Sequence, residues 1–530
     1  MSTTTTDNKN QSSASDRDRL PIRGMFGLRM PMRDGITLAA DVILPEAEGK
    51  YPVLFLRTPY LRTMNFDLIM SMPTHSAKEC FVSYMASHGY AVVMQDVRGR
   101  GESEGEYMFY WSEIGDAYDS IEWLARQPWS NGNVGMMGAS YVGHVQWLAA
   151  RERPPALKCL FSTAASGLPF DELGYRGGAY TMAQEINWCN TTAGKLDQGY
   201  TAGYVNMEKV FAHRPLTTQD EAFGRKMPVV QKILENDTFN EEWKKIQLFE
   251  EDFKKIDLPA MHVTGWFDGD QVGAMHYYLN MIEHSPNAQE QYLLIGPWDH
   301  PQTFFGGIPS LGDMKFTEDS VVDNNLLHLQ FFDHYLKGTA PTFEHPKVRI
   351  YITGINEWRE SDAFPFPTNE EKRLYLTSGG NAGAKDSDGK LSWEAPGEEP
   401  TDHFVFDPKN PAPGMLHKPG APSALCLGVD ISEHVEARDD VLTYTSEVLE
   451  ETLIIAGHVE VELYAATDGS DTDFVVWLTD VHPDGKSVNL GPASFGILRG
   501  RFREGYEKEV LLTPGKPEKY RIKLWHIGHA

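Results

Sequence analysis

The run Val134-Gly135-Met136-Met137-Gly138-Ala139-Ser140-Tyr141-Val142-Gly143-His144 sets a serine among small residues, where an apolar run gives way to a helix-forming one. A serine on such a sharp strand-to-helix turn is lifted clear of the sheet with its Oγ exposed. The N–H of the next residue, here Tyr141, then faces the place where an oxyanion would form. Small flanking residues let the turn close without clashes. The usual pattern is Gly-x-Ser-x-Gly; here the fifth position is Val142 and the glycine follows at Gly143. A helix N-cap serine has a similar local composition, so a nucleophilic Ser140 requires a base, and that base an orienting acid.

Two later runs supply candidates in the order serine, acid, histidine. Met261-His262-Val263-Thr264 leads into Gly265-Trp266-Phe267-Asp268-Gly269-Asp270, and Tyr292 to Ile295 leads into Gly296-Pro297-Trp298-Asp299-His300. Asp268 and His300 therefore both sit just past the carboxyl ends of predicted strands, where open α/β sheets bind their ligands. Taken singly, Asp268 reads equally as a turn former before Gly269, and His300 as a loop histidine. Asp270 and Asp299 compete for the acid role.

The elements that must position these residues follow from the apolar pattern. Pro52 to Leu56, Ala91 to Gln95, Val134 to Met137, Leu157 to Phe161, Ala260 to Thr264 and Tyr292 to Ile295 are short runs without polar alternation. Such runs are strands covered on both faces, as in a parallel sheet. Ile114, Ala117, Tyr118, Ile121, Leu124 and Ala125 keep helical spacing up to Pro128. Asp34-Gly35 between apolar runs predicts a hairpin. Strands alternating with helices give an α/β fold with a mainly parallel sheet. Residues 166 to 252 are Lys/Glu/Gln-rich and helical in composition, and predict a cap inserted between two strands. From Val348, alternation with period two in Val348 to Ile352, Val459 to Tyr464 and Tyr520 to Leu524 predicts a β-sandwich. The expected division is a tail over 1–20, a catalytic α/β domain over 21–165 and 253–345, a helical cap over 166–252 and a sandwich over 346–530.

Composition narrows the function classes. With 530 residues, 41% hydrophobic and 23% charged, the chain has material for about three domains. Its 48 Lys and Arg against 75 Asp and Glu leave a net charge of −27, a field that repels phosphate backbones and anionic lipid. Neither a nucleic-acid nor a membrane partner is expected. Cys80, Cys159, Cys189 and Cys426 are scattered without a CxxC, so neither a disulfide framework nor a zinc site is predicted. The Thr/Asn/Ser/Asp-rich stretch Met1 to Leu20 has no apolar core of a secretory signal and reads as a disordered tail, which makes the cytoplasm the expected compartment. Asp468-Gly469-Ser470-Asp471-Thr472-Asp473 lacks the sixth-position glycine of a calcium loop, and Gly99-Arg100-Gly101 does not complete a dinucleotide fingerprint. No metal and no cofactor is predicted.

Five motifs in order carry a resemblance. They are Arg57-Thr58-Pro59-Tyr60, Gln95-Asp96-Val97-Arg98-Gly99-Arg100-Gly101, the serine elbow, Gly265-Trp266-Phe267-Asp268-Gly269 and Gly296-Pro297-Trp298-Asp299-His300. Together they resemble the cocaine-esterase-like (CocE/NonD) serine hydrolases, relatives of the α-amino acid ester hydrolases and X-prolyl dipeptidyl peptidases. Asp471-Thr472-Asp473-Phe474 and Asp480-Val481-His482-Pro483-Asp484-Gly485 resemble that family's C-terminal jelly roll. The resemblance spans residues 25 to 530 and implies an α/β-hydrolase core, a cap and a jelly roll. It implies Ser140 as nucleophile, Asp268 as acid, His300 as base, and Tyr60 as an oxyanion donor beside the Tyr141 N–H. It also accounts for Gly143, which stands where this family's elbow carries its glycine. Asp96 and Arg98 are expected to be a buried pair that braces their loop.

Two departures qualify the substrate. The α-amino acid ester hydrolases gather carboxylates around the substrate ammonium, one of them a Glu directly after the elbow's Ser-Tyr; here that residue is Val142, and Asp171 and Glu172 alone do not replace the set. The chain also stops at Ala530, earlier than the family's jelly rolls, which predicts a shorter sandwich or a fragment. The expected function is hydrolysis of a small-molecule carboxylic ester through an acyl-enzyme, with Trp266, Phe267, Trp298, Trp188 and Phe170 lining an aromatic acyl pocket. An amidase, acylase or aminopeptidase-like hydrolase on the same site is the alternative, and a non-catalytic carbohydrate-binding protein the remote one. A homo-oligomer stays open.

Overall fold

The structure is a computed structural model that describes residues 19–63, 80–196, 204–383, 387–413 and 427–530. Residues 1–18 of the expected tail and Cys426 lie outside the described residues.

Ten strands form one sheet: β1 (Ile22–Pro31), β2 (Thr37–Pro45), β3 (Tyr51–Thr58), β4 (Ala91–Asp96), β5 (Ser130–Ala139), β6 (Leu157–Thr163), β7 (Ala260–Phe267), β8 (Gln291–Asp299), β9 (Val348–Ile352) and β10 (Glu357–Ser361). Their spatial order is β1-β2-β4-β3-β5-β6-β7-β8-β9-β10. β1/β2, β2/β4 and β9/β10 are antiparallel, and every pairing between β4 and β9 is parallel. The β1–β2 hairpin turns at Asp34-Gly35, where Gly35 takes φ +91°.

The unbroken apolar runs have a direct cause. In β3, Val53 and Phe55 enter the core on one face, with Ile121, Val145 and Leu148 of the helices Asp116–Ala125 and Tyr141–Glu152. Leu54 and Leu56 enter the core on the other, with Phe81, Met85, Phe331 and Phe332 of Phe81–Ser87 and Asn324–Phe332. Both faces are covered, so both parities of side chain must be apolar.

Between β6 and β7 the chain runs through the short helices Met182–Thr192, Met207–Ala212, Gln219–Phe223, Pro228–Glu235, Glu241–Lys244 and Glu250–Phe253. Ile186, Val210, Phe223, Val230, Trp243 and Phe253 of this insertion join the core of the first face. Phe170 lies there too, fully buried with its ring against Tyr175, Phe239, Trp243 and Tyr506.

The C-terminal region is a domain of strands. β11 (Ile455–Ala465) pairs antiparallel with β14 (Glu518–His529), and β12 (Asp473–Trp477) with β13 (Phe495–Arg499). Two strands that follow residue 346 belong to the large sheet. Val348 to Ile352 pairs in parallel with β8, and Glu357–Ser361 pairs with it in turn, so both strands finish the large sheet. Val348, Ile350, Tyr351 and Ile352 are buried, while Arg349 is half-buried with its guanidinium over Trp358. β14 returns to this edge: Thr353 N–H donates to the Gly528 carbonyl at 3.1 Å and Ala530 N–H to the Thr353 carbonyl at 2.9 Å. Among the described residues no helix is long and apolar enough to cross a membrane, and no cluster of three or more His, Cys, Asp or Glu side chains is arranged to hold a metal ion. Asp471 and Asp473 instead pair with Arg501 and Arg499.

Candidate active site

Ser140 ends β5 with φ 62° and ψ −127°, a conformation that costs a non-glycine residue about 1–3 kcal/mol. The surroundings hold it there. Ser140 N–H donates to the Thr163 carbonyl of β6 at 3.0 Å, and the helix Tyr141–Glu152 starts at once. A Cβ on Gly143 would stand 2.7 Å from the Thr163 oxygen and 2.8 Å from the Ala165 Cβ, so the elbow's glycine is needed at this position. Val142 points the other way, into the core of the far face, and needs no such space.

Two strands along, Asp268 follows β7 and is buried. Its Oδ1 lies 2.7 Å from His300 Nδ1, and its Oδ2 accepts from Thr264 Oγ1 at 2.8 Å. The Asp270 N–H donates to Asp268 Oδ1 at 2.9 Å. His300 opens a short helix, His300–Thr303, after β8, with 28% of its side chain exposed. Of the rival acids, Asp299 is spent as that helix's N-cap, accepting from Gln302 N–H at 3.0 Å. Asp270 reaches His300 Nδ1 only at 3.9 Å.

Across the site the Tyr60 phenol accepts from Trp188 Nε1 at 3.1 Å and lies in hydrogen-bonding reach of the Ser140 side chain. Ser140, Asp268 and His300 thus stand at the carboxyl ends of β5, β7 and β8, with Tyr60 two residues beyond β3.

The X-Pro dipeptidyl-peptidase (S15 family) profile matches residues 34–302 of this chain. The chain belongs to that family. The companion profile, the X-Pro dipeptidyl-peptidase C-terminal non-catalytic domain, matches residues 342–530 of this S15-family member. It is 31% identical to the cocaine esterase of Rhodococcus sp. (strain MB1 Bresler), over 93% of this chain and 86% of that one. Its structure superposes on an α-amino acid ester hydrolase with a TM-score of 0.82 at 28% identity, covering 99% of this chain and 90% of that one. An aminopeptidase from the marine sediment archaeon Thaumarchaeota archaeon gives a TM-score of 0.80 at 26% identity, over 100% and 89%. This S15-family member is a cocaine-esterase-like serine hydrolase that acts on esters.

Electrostatics divide the hydrolase's site. Burial opposes a charge on His300, but Asp268, Asp270 and Asp299 outweigh it and lift the imidazole from 6.5 to about 9. Burial and the charge of Asp268 push Asp270 up to about 7 against the pull of His300. Burial carries the Tyr60 phenol up to about 12. Asp171 and Glu172 are buried and used by the backbone: Asp171 accepts from Gly177 N–H at 2.7 Å, and Glu172 from the N–H groups of Gly167, Leu168 and Gly273 at 2.8, 3.0 and 3.1 Å.

Trp266 is buried with its Nε1 donating to the Tyr351 carbonyl at 2.5 Å, and Trp298 is buried with its Nε1 donating to the Ser320 carbonyl at 3.1 Å. Phe267 packs under Gly491 of the C-terminal domain, and Phe170 is core of the insertion. Of the five aromatic residues expected in the acyl pocket, Trp188 is the one that touches Tyr60. Asp96 and Arg98 brace their loop through separate partners: Asp96 binds Arg62, while Arg98 binds Asp116 and Asp34, each at 2.6 Å. Sequence reasoning missed Thr264, Arg57 and Glu113. The last two form a fully buried ion pair at 2.7 Å below Tyr141; removing one partner of such a pair costs about 3–5 kcal/mol.

Proposed function

We propose that the enzyme cleaves its carboxylic ester by acyl transfer, with Ser140 as nucleophile, His300 as base and Asp268 as orienting acid. Ser140 Oγ attacks the ester carbonyl while its proton passes to His300 Nε2. Asp268 accepts the His300 Nδ1–H, fixing the tautomer that leaves Nε2 free and stabilising the imidazolium that forms. The oxyanion takes hydrogen bonds from the Tyr60 phenol and the Tyr141 N–H. His300 returns the proton to the leaving alcohol, and water then frees the acyl group by the same route. Trp188, which hydrogen-bonds Tyr60, supplies an aromatic wall for the substrate.

The observation that carries this reading is the 2.7 Å contact of His300 with the buried Asp268, at strand ends beside the strained Ser140 turn. It is tested with a panel of chromogenic esters and anilides on wild type and Ser140→Ala, alongside a fluorophosphonate probe. The expected results are faster turnover of esters than of anilides, none by Ser140→Ala, and peptide mapping of the probe to Ser140. Labelling of a different serine would refute the assignment.

A further inference from the structure

We propose that the buried ion pair Arg57–Glu113 is a positioning device that holds both oxyanion donors in register, the Tyr141 N–H through the Tyr141 side chain and Tyr60 through the end of β3. The inference rests on the assignment of those donors above.

Three segments far apart in sequence meet at this pair. Arg57 is the next-to-last residue of β3, three residues before Tyr60. Its Nε and Nη2 donate to Glu113 Oε2 at 3.1 and 2.7 Å, and its Nη1 to Gln95 Oε1 at 2.7 Å and Ser120 Oγ at 3.2 Å. Arg57 and Glu113 side chains are both 0% exposed. The other Glu113 oxygen, Oε1, accepts from the Tyr141 hydroxyl at 2.8 Å. The carboxylate therefore has one oxygen on the strand that leads to Tyr60 and the other on the residue directly after Ser140.

The geometry suits positioning better than proton transfer. The Tyr141 hydroxyl is engaged by the buried Glu113, which leaves its backbone N–H as the donor the residue offers. Its ring packs between Tyr110 at 4.5 Å and Trp188 at 6.0 Å, which limits its swing while the Glu113 bond sets its angle. Tyr60 meets the Tyr141 ring edge-on at 6.5 Å. Arg100 completes the frame by donating to the Pro59 carbonyl at 2.6 Å and to the Thr191 carbonyl at 3.2 Å, tying the Tyr60 loop to the helix that carries Trp188. A directional, desolvated network of this kind fixes angles that apolar packing alone leaves loose. An oxyanion hole needs that, because its donors must be aimed before charge develops.

The test uses Tyr141→Phe, which removes the hydroxyl and keeps the ring. Wild type and variant are compared for kcat, KM, melting temperature and inhibition by an aryl boronic acid, whose tetrahedral adduct on a nucleophilic serine places an oxygen in the oxyanion hole. The expected result is a kcat and a boronate affinity that fall together by about tenfold, a fraction of the roughly 10²-fold cost of a 1 Å misplacement. KM should stay within about twofold, since ground-state binding does not use the donors' aim. Glu113→Gln, which keeps an acceptor for Tyr141, should retain more boronate affinity than Glu113→Ala. If both Glu113 variants fail to fold, Tyr141→Phe decides alone. A Tyr141→Phe enzyme with wild-type kcat and boronate affinity, or with a lowered kcat and unchanged boronate affinity, overturns the proposal. Failure of the underlying assignment looks different: Tyr60→Phe would keep wild-type kcat and boronate affinity.

Discussion

The two walls of the site are built on opposite principles. The acid–base wall gathers Asp268, Asp270 and Asp299 around a histidine that is 28% exposed, with Asp270 pushed up to about 7 and His300 up to about 9. The oxyanion wall is built from aromatic rings and offers the substrate neutral donors. Tyr60 is held up to about 12, Tyr107, Tyr110 and Tyr141 lie well above the ordinary phenol range through burial, and the Arg57–Glu113 pair beneath Tyr141 has no exposed side chain. The contrast follows from what each wall must do. A proton has to enter and leave His300 in every turnover, so its affinity must be adjustable by nearby charge. A hydrogen-bond donor to an oxyanion must not lose its proton, and a phenol held up to about 12 keeps it at neutral and mildly alkaline pH.

The comparison is broken most severely from the acid–base side. Asp268→Asn presents an amide where His300 Nδ1–H needs an acceptor, while Thr264 Oγ1 and the Asp270 N–H compete for its carbonyl oxygen. The wrong imidazole tautomer results, and kcat should fall on the order of 10⁴-fold with the melting temperature little changed. Asp299→Asn should stay within about threefold of wild type, because Asn caps a helix as well as Asp does. The next largest effect comes from the other wall. Tyr60→Phe removes one oxyanion donor and leaves the ring in place, so kcat should fall roughly 10²–10³-fold with a much smaller change in KM. Steady-state kinetics on both variants, with melting curves, separate these outcomes from unfolding. A Tyr60→Phe enzyme with wild-type turnover removes the phenol from the oxyanion wall.

The walls also differ in how far the sequence reveals them. Asp268 and His300 follow short apolar runs whose strand character is set by two covered faces, so their placement at strand ends can be read from pattern alone. Ser140 can be read because its turn requires small neighbours. Arg57, Glu113 and Tyr141 lie at separations of 56 and 28 residues and meet only through the strand order β4-β3-β5, which local pattern does not encode. The same limit explains the aromatic residues beside the motifs. Trp266 and Trp298 look like pocket residues next to Asp268 and His300, yet their Nε1 groups bond the carbonyls of Tyr351 and Ser320, far along the chain. Val348 to Ile352 alternates like a sandwich strand yet pairs with β8, and this has a physical reason of its own. Near the sheet's edge a strand has one face less covered, so Arg349 breaks the apolar run and produces the alternation of a sandwich strand.

The smallest expected effect sharpens the comparison most, because it asks whether the acid–base wall is tuned by charge alone. Asp270 lies 3.9 Å from His300 Nδ1 and donates its backbone N–H to Asp268. Asp270→Asn keeps that N–H, and so the orientation of Asp268, while removing one negative neighbour of the imidazole. His300 must be neutral to accept the serine proton, so the ascending limb of kcat/KM against pH follows its ionisation, which the carboxylates hold at about 9. Loss of one of them should move the limb downward, by roughly 1–3 units for a charge this close. At neutral pH a larger fraction of the variant then carries the free base, so kcat/KM there should equal or exceed wild type, while the plateau at high pH stays within about threefold. A profile measured from pH 5 to 10 on both enzymes reads this directly. A limb that does not move means the Asp270 charge is not felt at His300, and Asp268 and Asp299 set its proton affinity without it. A collapsed plateau means instead that Asp270 takes part in the chemistry beyond its charge.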